Sequence, residues 1–503
     1  MIALVVGLVV LPLVGAVAHL LGARTRTAGR LTAAGGAGAV GCAVALAVLT
    51  TRNGAYQALG GFIYVDPLSA FFAITVAIVV ALAGLGSIGY LQTEQERGEL
   101  SAVQVKLYVV FFALFAALML ASLETGSLGL LWVLIEASTL TSAVLVALEA
   151  RSSSFEAAWK YIIISSFGVT IALVGTLFLF YAASALPLGA SQRLNWPVLF
   201  AHAHALQHDS LKLGFLLAVV GYGTKVGLAP MHTWLPDAHS EAPSPASAML
   251  SGALLNTGMY AIIRFQAIAG VDLGRYTHRV LLVFGFASIA IGALFMVRSG
   301  NFKRLFAYSS IEHMGIIAVA LGFGGVLGYY GALLHTLNHA IGKSVLFLCS
   351  GEIVLRYRTR MATRVRGLLG AAPWLGAVLL LGSLAIVGSP PFGLFLSEFT
   401  IVRAGFASSG PVFAFALLAL LVLAFIAFMR TTAEMTVGDR GRATMDMTVG
   451  DGVGEGVARA EAVPLRVSSV LPLVAGLVAL LVLGVWIPGG LNQLIMHSIG
   501  AIT

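Results

Sequence analysis

The sequence predicts an all-α integral membrane protein of about fourteen transmembrane helices, with inverted repeats and two broken spans. Three observations predict it. First, 59% of the 503 residues are hydrophobic and only 10% are charged, where a soluble chain carries about a quarter charged residues; mean hydropathy is +0.97. Second, apolar runs of roughly 20 residues, the length that crosses a bilayer, recur from one end of the chain to the other. Third, two of those runs are interrupted by Gly and Pro at corresponding places, the pattern of repeat-built transporters. The formal charge of +8 does not point to nucleic acid, because the basic residues sit in short loops between apolar runs. Cys42 and Cys349 lack partner spacing, so no iron–sulfur cluster, zinc site, disulfide framework or other cofactor is expected.

The spans read in order as 2–21, 31–50, 67–90, 107–122, 126–148, 158–182, 212–230, 244–264, 279–298, 304–322, 327–355, 373–391, 411–430 and 467–487. The first has no basic residue ahead of it and no cleavage pattern, so it reads as a span and not a removable signal. Asp66-Pro67 opens the third, with Asp as N-cap and Pro at the first helical position. The organisation is then N-terminal helices over 1–106, a five-helix repeat over 107–264 (spans 4–8) and a second over 279–430 (spans 9–13). A flexible cytoplasmic loop over 431–466 and a C-terminal helix in 467–503 complete it. In that loop Met435-Thr-Val-Gly-Asp439 recurs as Met447-Thr-Val-Gly-Asp451, a polar, Gly-rich linker composition.

Lysine and arginine fall unevenly on alternate loops. One set, including Arg97, Arg151, Lys303 and the cluster Arg356 to Arg366, holds nineteen; the other, Arg52, Arg193, Lys212, Arg264, Arg275, Arg279 and Arg403, holds seven. The richer set is expected on the cytoplasmic side, which places both termini outside.

The broken segments are Gly221-Tyr-Gly-Thr-Lys225 with Pro230, Pro236 and Pro243, and Gly388-Ser-Pro390-Pro391-Phe-Gly393 with Ser397-Glu398. Each falls fourth in its run of five helices. Broken backbone at membrane depth must line protein or water, so a hydrated interior is expected.

Ionisable residues inside apolar spans cost roughly 2.5–3.5 kcal/mol each at a helix centre, and a chain that keeps them uses them. They are Glu136, Lys160, Lys225, Glu312, His313, His335, His339, Lys343 and Glu398. Lys225, at a break and within reach of an acidic partner such as Glu136, can load and release a proton; the same pair could be a static lock between helices. His335, His339 and Lys343 recur every four residues, so they share one slowly drifting helix stripe with rungs of roughly 6 Å that one water can bridge. Imidazole can pass a proton between its two nitrogens. The same two His could instead be a purely structural, hydrogen-bonded pair. Zinc is not expected at His335-Thr-Leu-Asn-His339, which lacks the glutamate of the metalloprotease helix. Glu398 is the acidic counterpart of Lys225 in the second repeat, or a helix-start charge. His232, Asp237, His239 and Glu241 line an entrance or lie at the interface. Lys303 and Arg304 read as a basic anchor.

Together these residues resemble the antiporter-like membrane subunits of respiratory complex I and its relatives, over roughly residues 60–430. The stretch Gly227-Leu-Ala-Pro-Met-His-Thr-Trp-Leu-Pro-Asp-Ala-His239 with Glu241-Ala-Pro-Ser-Pro-Ala-Ser247 is the most specific part. Asn301-Phe-Lys-Arg-Leu-Phe-Ala-Tyr-Ser-Ser310 and Val65-Asp-Pro-Leu-Ser-Ala-Phe-Phe72 agree with it. Glu241 and Glu136-Ala-Ser-Thr-Leu140 make the pattern most similar to the large membrane subunit of hydrogenase-4 and formate hydrogenlyase complexes. The resemblance implies a proton path through Glu136, Lys160, Lys225, His335, His339, Lys343 and Glu398. It also implies a multi-pass protein of the inner (plasma) membrane, without a redox centre of its own. Its partners would be other membrane subunits and a peripheral electron-transfer module, and the chain would be a non-redox subunit of an oxidoreductase complex. Asn256 stands where several relatives place lysine or histidine, so a titratable step is missing there. The lateral helix that some relatives add after the last span is not expected, since the chain ends soon after Trp486. Three other readings remain: a sodium/proton antiporter subunit, a quinone-binding subunit using the His/Trp cluster near Trp234, and a non-pumping scaffold.

Overall fold

In the computed structural model, which describes residues 1–408, 410–439, 461 and 463–503, the chain is a bundle of long helices. The first three are α1 (Ile2–Leu20), α2 (Thr25–Asn53) and α3 (Pro67–Glu96), followed by α4 (Ala102–Ser122), α5 (Leu128–Val146) and α6 (Ser152–Ala182). Next come α7 (His208–Val226) and the short α8 (Trp234–Glu241), then α9 (Ser244–Val297) and α10 (Phe302–Phe323). The chain continues with α11 (Gly325–Tyr357), α12 (Pro373–Ile386), α13 (Gly393–Ser408) and α14 (Pro411–Val437), and closes with α15 (Val467–Val485) and α16 (Gly489–Gly500). Among the described residues ten helices are long and apolar enough to cross a membrane, and the sheet content is one small hairpin, β1 (Tyr56–Ala58) with β2 (Ile63–Val65). An all-α membrane protein is therefore what the composition led to. Helices α7, α11, α12 and α13, which bear or flank the ionisable residues and the breaks, are not among the ten.

Helix starts follow local chemistry. Asp66 accepts from Ser69 N at 2.8 Å ahead of Pro67, and Ser101 and Gln104 cap each other reciprocally, each satisfying amide donors that a helix start leaves unpaired. The hairpin clips onto the α4–α5 connection through Tyr64 N to Glu124 O at 2.8 Å and Gly126 N to Phe62 O at 3.1 Å.

Helix α10 forms the centre: 94% of its apolar window is buried, against 28% for α14. Helix α9 is 54 residues long, much longer than one bilayer crossing of about 20 residues. The two apolar runs 244–264 and 279–298 are thus joined by helix and not by a loop, with a kink at Leu273. One π-turn at Leu250–Leu254 lies near its start. There a Cβ on Gly252 would stand 2.9 Å from Ala340 O, so glycine lets α9 meet α11 backbone to backbone.

Two corrections concern charges. Arg264 is not a loop residue: it is fully buried in α9 and pairs with Asp66. The segment 431–466 is not all loop either, since α14 runs to Val437; most of the remainder, with the repeat Met447–Asp451, lies outside the described residues. Helix α16 follows Trp486 and is only 12 residues long.

Candidate functional site

The site is a file of buried polar side chains. At one end α7 stops at Val226 because Gly227 takes a left-handed conformation, φ 80°. The freed backbone groups are satisfied locally, Leu228 N by Gly223 O and Ala229 N by Ser288 Oγ, while Trp234 at the start of α8 donates its indole N–H to Thr224 O at 2.8 Å. Lys225 sits in the last turn of α7, where the helix dipole favours a cation. It is fully buried. Its Nζ donates to Thr139 Oγ1 of α5 and Tyr161 OH of α6, each at 2.7 Å, and Tyr161 OH is 2.7 Å from Ser142 Oγ.

Glu136 lies one turn before Thr139 on α5. It accepts from Ser166 Oγ at 2.5 Å, and its Oε2 is buried without a hydrogen-bond partner among the described residues. No ion pair joins Glu136 to Lys225 there, which corrects the expected direct contact: the ammonium reaches α5 one turn further on and is held by hydroxyls.

Lys160 also departs from expectation. It is not buried within a span; its side chain is 44% exposed and pairs with Glu156 at 2.6 Å and Asp237 at 3.3 Å. Asp237 in turn binds Arg304. Lys160 belongs to an outer charged group beside Trp159 and Phe167, both exposed.

The middle of the file holds residues that sequence reasoning left unplaced. His239 of α8 is buried, stacks on Phe347 of α11 with ring centroids 4.7 Å apart, and has no partner for either ring nitrogen among the described residues. Lys303 and Lys343 are close enough to act on it electrostatically. Lys303 is no surface anchor: it is buried and donates to Ala242 O at 2.5 Å. Asn256 is buried after the π-turn, its Nδ2 donating to Gly252 O at 2.6 Å.

The second half is built on α10 and α11. Lys343 donates to Phe306 O at 2.9 Å and to Ser309 Oγ. His313 of α10 stands between the two imidazoles of the α11 stripe: its Nδ1 is 3.0 Å from His335 Nε2, and its ring centroid is 5.3 Å from that of His339. His335 Nδ1 reaches Ser397 Oγ of α13 at 3.0 Å. Glu312 Oε2 is 3.7 Å from His313 Nε2. A cavity of about 20 Å³ lined by Ser309, Glu312, His313 and Glu398 has room for about one water. His313, His335 and Glu398 have ligand atoms within 4.8 Å of one another. That is a set that could hold a cation, though the two imidazoles are engaged with each other.

The α12–α13 break repeats the device of the first, with Gly388 left-handed at φ 69°. A Cβ on Gly388 would lie 2.0 Å from Glu398 Oε2, so this glycine both makes the turn and seats the carboxylate. Gly388→Ala is expected to destabilise the chain by about 1–2 kcal/mol for the left-handed conformation alone. It should also displace Glu398, lowering thermal stability and proton uptake together.

Residues 125–424, which include all seven predicted site residues, match the transmembrane family model described as NADH:quinone oxidoreductase/Mrp antiporter. The chain belongs to this antiporter family. It is 36% identical over 440 residues, covering 87% of this chain and 88% of the relative, to "Hydrogenase-4 component F homolog" of Methylacidiphilum infernorum. It is 31% identical to "Hydrogenase-4 component B" of Escherichia coli over 66% of this chain, which spans about half (49%) of that relative. Among solved structures, a chain of the membrane-bound sulfane sulfur reductase, an archaeal respiratory membrane complex, superposes with a TM-score of 0.83 at 22% identity, covering 99% of this chain and 97% of that one. That likeness concerns the fold. Proton translocation is the general kind of function of the antiporter family.

Proposed function

We propose that this chain is the proton-translocating, antiporter-like membrane subunit of a redox-driven complex of the complex I or membrane-bound hydrogenase type. One observation carries the reading: within an apolar core, titratable groups on α7, α10 and α11 are buried among hydroxyls and imidazoles, Lys225 on Thr139 and Tyr161, Lys343 on Ser309, His313 on His335 and His335 on Ser397. Half-buried Glu136 on α5 and Glu398 on α13 stand at the two ends. Fourteen crossings, two inverted five-helix repeats and a cytoplasmic position for the arginine-rich loops complete the architecture. The two breaks support the repeat, each with a left-handed glycine and a half-helix after it.

In this reading a redox event in a peripheral module alters the surroundings of Glu136. The carboxylate sets the proton affinity of Lys225 across Thr139 and Tyr161, without touching it. Lys225 releases its proton toward His239 and Lys343, the His339–His313–His335 group relays it, and Glu398 delivers it outward. Moving one charge against 100 mV takes about 2.3 kcal/mol, which the partner must supply through mechanical or electrostatic coupling. Other membrane subunits and the plasma membrane are the chain's setting.

The test is proton uptake by vesicles holding the intact purified complex in sodium-free buffer. Wild type should take up protons, and Glu136→Gln should lose uptake while electron transfer in the assembled module continues. Undiminished uptake by Glu136→Gln would sink the reading, and an absolute need for sodium would favour a sodium/proton antiporter.

A further inference from the structure

On the face that carries Arg97, the start of α2, the end of α3 and the start of α15 enclose a cleft of about 410 Å³. No residue of the buried file lines it. Three guanidiniums do, those of Arg24, Arg26 and Arg466, against the one carboxylate of Glu96. Arg466 is neutralised within the chain, donating to Glu96 Oε2 at 2.7 Å and to Gln92 Oε1. The side chains of Arg24 and Arg26 have no hydrogen bond or ion pair among the described residues. Their two positive charges are left over at a concave site of the size that holds small ligands.

The backbone adds to that excess. Arg24 is the N-cap of α2 and Arg466 the N-cap of α15, and neither helix start carries a side-chain cap. The first amide N–H groups of a helix have no acceptor within it, and the helix dipole places partial positive charge there. The exposed carboxamide of Gln95 is a further donor on the cleft wall. The surroundings decide which anion fits. Leu20 and Leu21 just before Arg24, and Leu465 and Val467 on either side of Arg466, are all exposed, Val467 by 78%. In a bilayer these side chains lie among acyl chains while the guanidiniums stand at the level of the phosphates. Basic pockets between transmembrane helices hold anionic headgroups. A soluble anion would leave the apolar rim uncovered.

We propose that this cleft binds the headgroup of an anionic phospholipid, with Arg24 and Arg26 on its phosphate oxygens and the apolar rim against the first methylenes of its acyl chains. Arginine suits the role, because its planar fork takes two oxygens of one phosphate at once. The bound lipid braces the α1–α2 turn against α3 and α15. Those two helices already meet closely beside the cleft, where a Cβ on Gly89 would stand 2.5 Å from Ser469 Oγ. The site requires only that the chain span a bilayer, so it does not depend on the proton-translocating reading.

The test uses the intact purified complex in phosphatidylcholine vesicles that contain a trace of phosphatidylglycerol with a photoactivatable diazirine on its acyl chain, close to the glycerol. After illumination, labelled peptides are mapped by mass spectrometry. Wild type should be labelled in the segments around Arg24 and Arg466, and the same probe with a choline headgroup should label them far less. Arg24→Gln combined with Arg26→Gln should lower the phosphatidylglycerol signal about thirtyfold, since each basic residue near an anionic surface is worth about a factor of five. Both positions are exposed, so the complex should still assemble. Gln95→Glu keeps both arginines but puts a second carboxylate in the cleft, and it should lower the signal as well. Equal labelling by the two headgroups, labelling that ignores the substitutions, or no labelling at either segment would overturn the site. Labelling abolished by millimolar inorganic phosphate would overturn the lipid and make the cleft a soluble-anion site.

Discussion

Lys225→Met is expected to lower proton transport at least about a hundredfold, since a positioned proton-transfer group contributes roughly 10²–10⁴, while the chain still folds. The two halves of that expectation come from different physics. The ammonium is fully buried and is held by two hydroxyls with no carboxylate in ion-pair reach, so its charge burdens the folded state. Methionine fills the space of the stem. The hydroxyls keep other partners: Thr139 Oγ1 donates to Ile135 O at 3.2 Å, and Tyr161 OH has Ser142. Thermal stability should therefore be unchanged or higher. Lys225→Arg separates a carrier from a static lock. A guanidinium keeps the charge but does not give up its proton in a protein, so a lock would survive the change and a carrier would not. Proton uptake near the wild-type rate in Lys225→Arg would show that the group acts only by its charge.

The lesson for sequence reading is particular to residue type. Breaks were legible because Gly and Pro act on the backbone they occupy, though not to the residue: Gly388 turns the chain within the segment the pattern named, whereas Gly221–Lys225 stays helical and the first turn comes at Gly227. The α11 stripe was legible because helical periodicity alone puts His335, His339 and Lys343 on one side, and all three are buried. What periodicity cannot supply is the neighbouring helix. His313, four residues past Ser309 on α10, becomes the middle rung only because α10 packs against α11. Lys160 lies in an apolar run like its counterpart Lys343, but its side chain is 44% exposed and the charge stays outside with Glu156 and Asp237. The expected pairing of Glu136 with Lys225 fails by one helical turn, because the ammonium meets α5 at Thr139. His239 could not be placed because its short helix is oriented by Trp234 and Tyr161, whose rings meet at 4.5 Å.

The same offset between local signal and tertiary use makes Asp66 and Arg264 the strongest structural test. Asp66 was legible as an N-cap, and it does accept from Ser69 N. It also takes both amino groups of Arg264, at 2.8 Å and 2.5 Å. The guanidinium lies over the Trp196 ring at 3.8 Å and the Tyr260 ring at 4.8 Å. Both charges are buried. Removing one partner leaves the other without its counter-charge, so Arg264→Met and Asp66→Asn should each cost about 3–5 kcal/mol. The double variant should recover much of that loss, because two neutral groups need no counter-charge and asparagine still caps α3. Thermal unfolding of the four proteins in one lipid environment measures the cycle. The pair joins the start of α3 to α9 eight residues beyond Asn256, so loosening it should also disturb the π-turn that brings α9 against α11. Single variants within about 1 kcal/mol of wild type, the range of an exposed pair, would mean that water reaches this site and that the two charges do not fix α9. A double variant that is stable but transports slowly would instead separate the pair's part in folding from its part in positioning the helix beside the proton file.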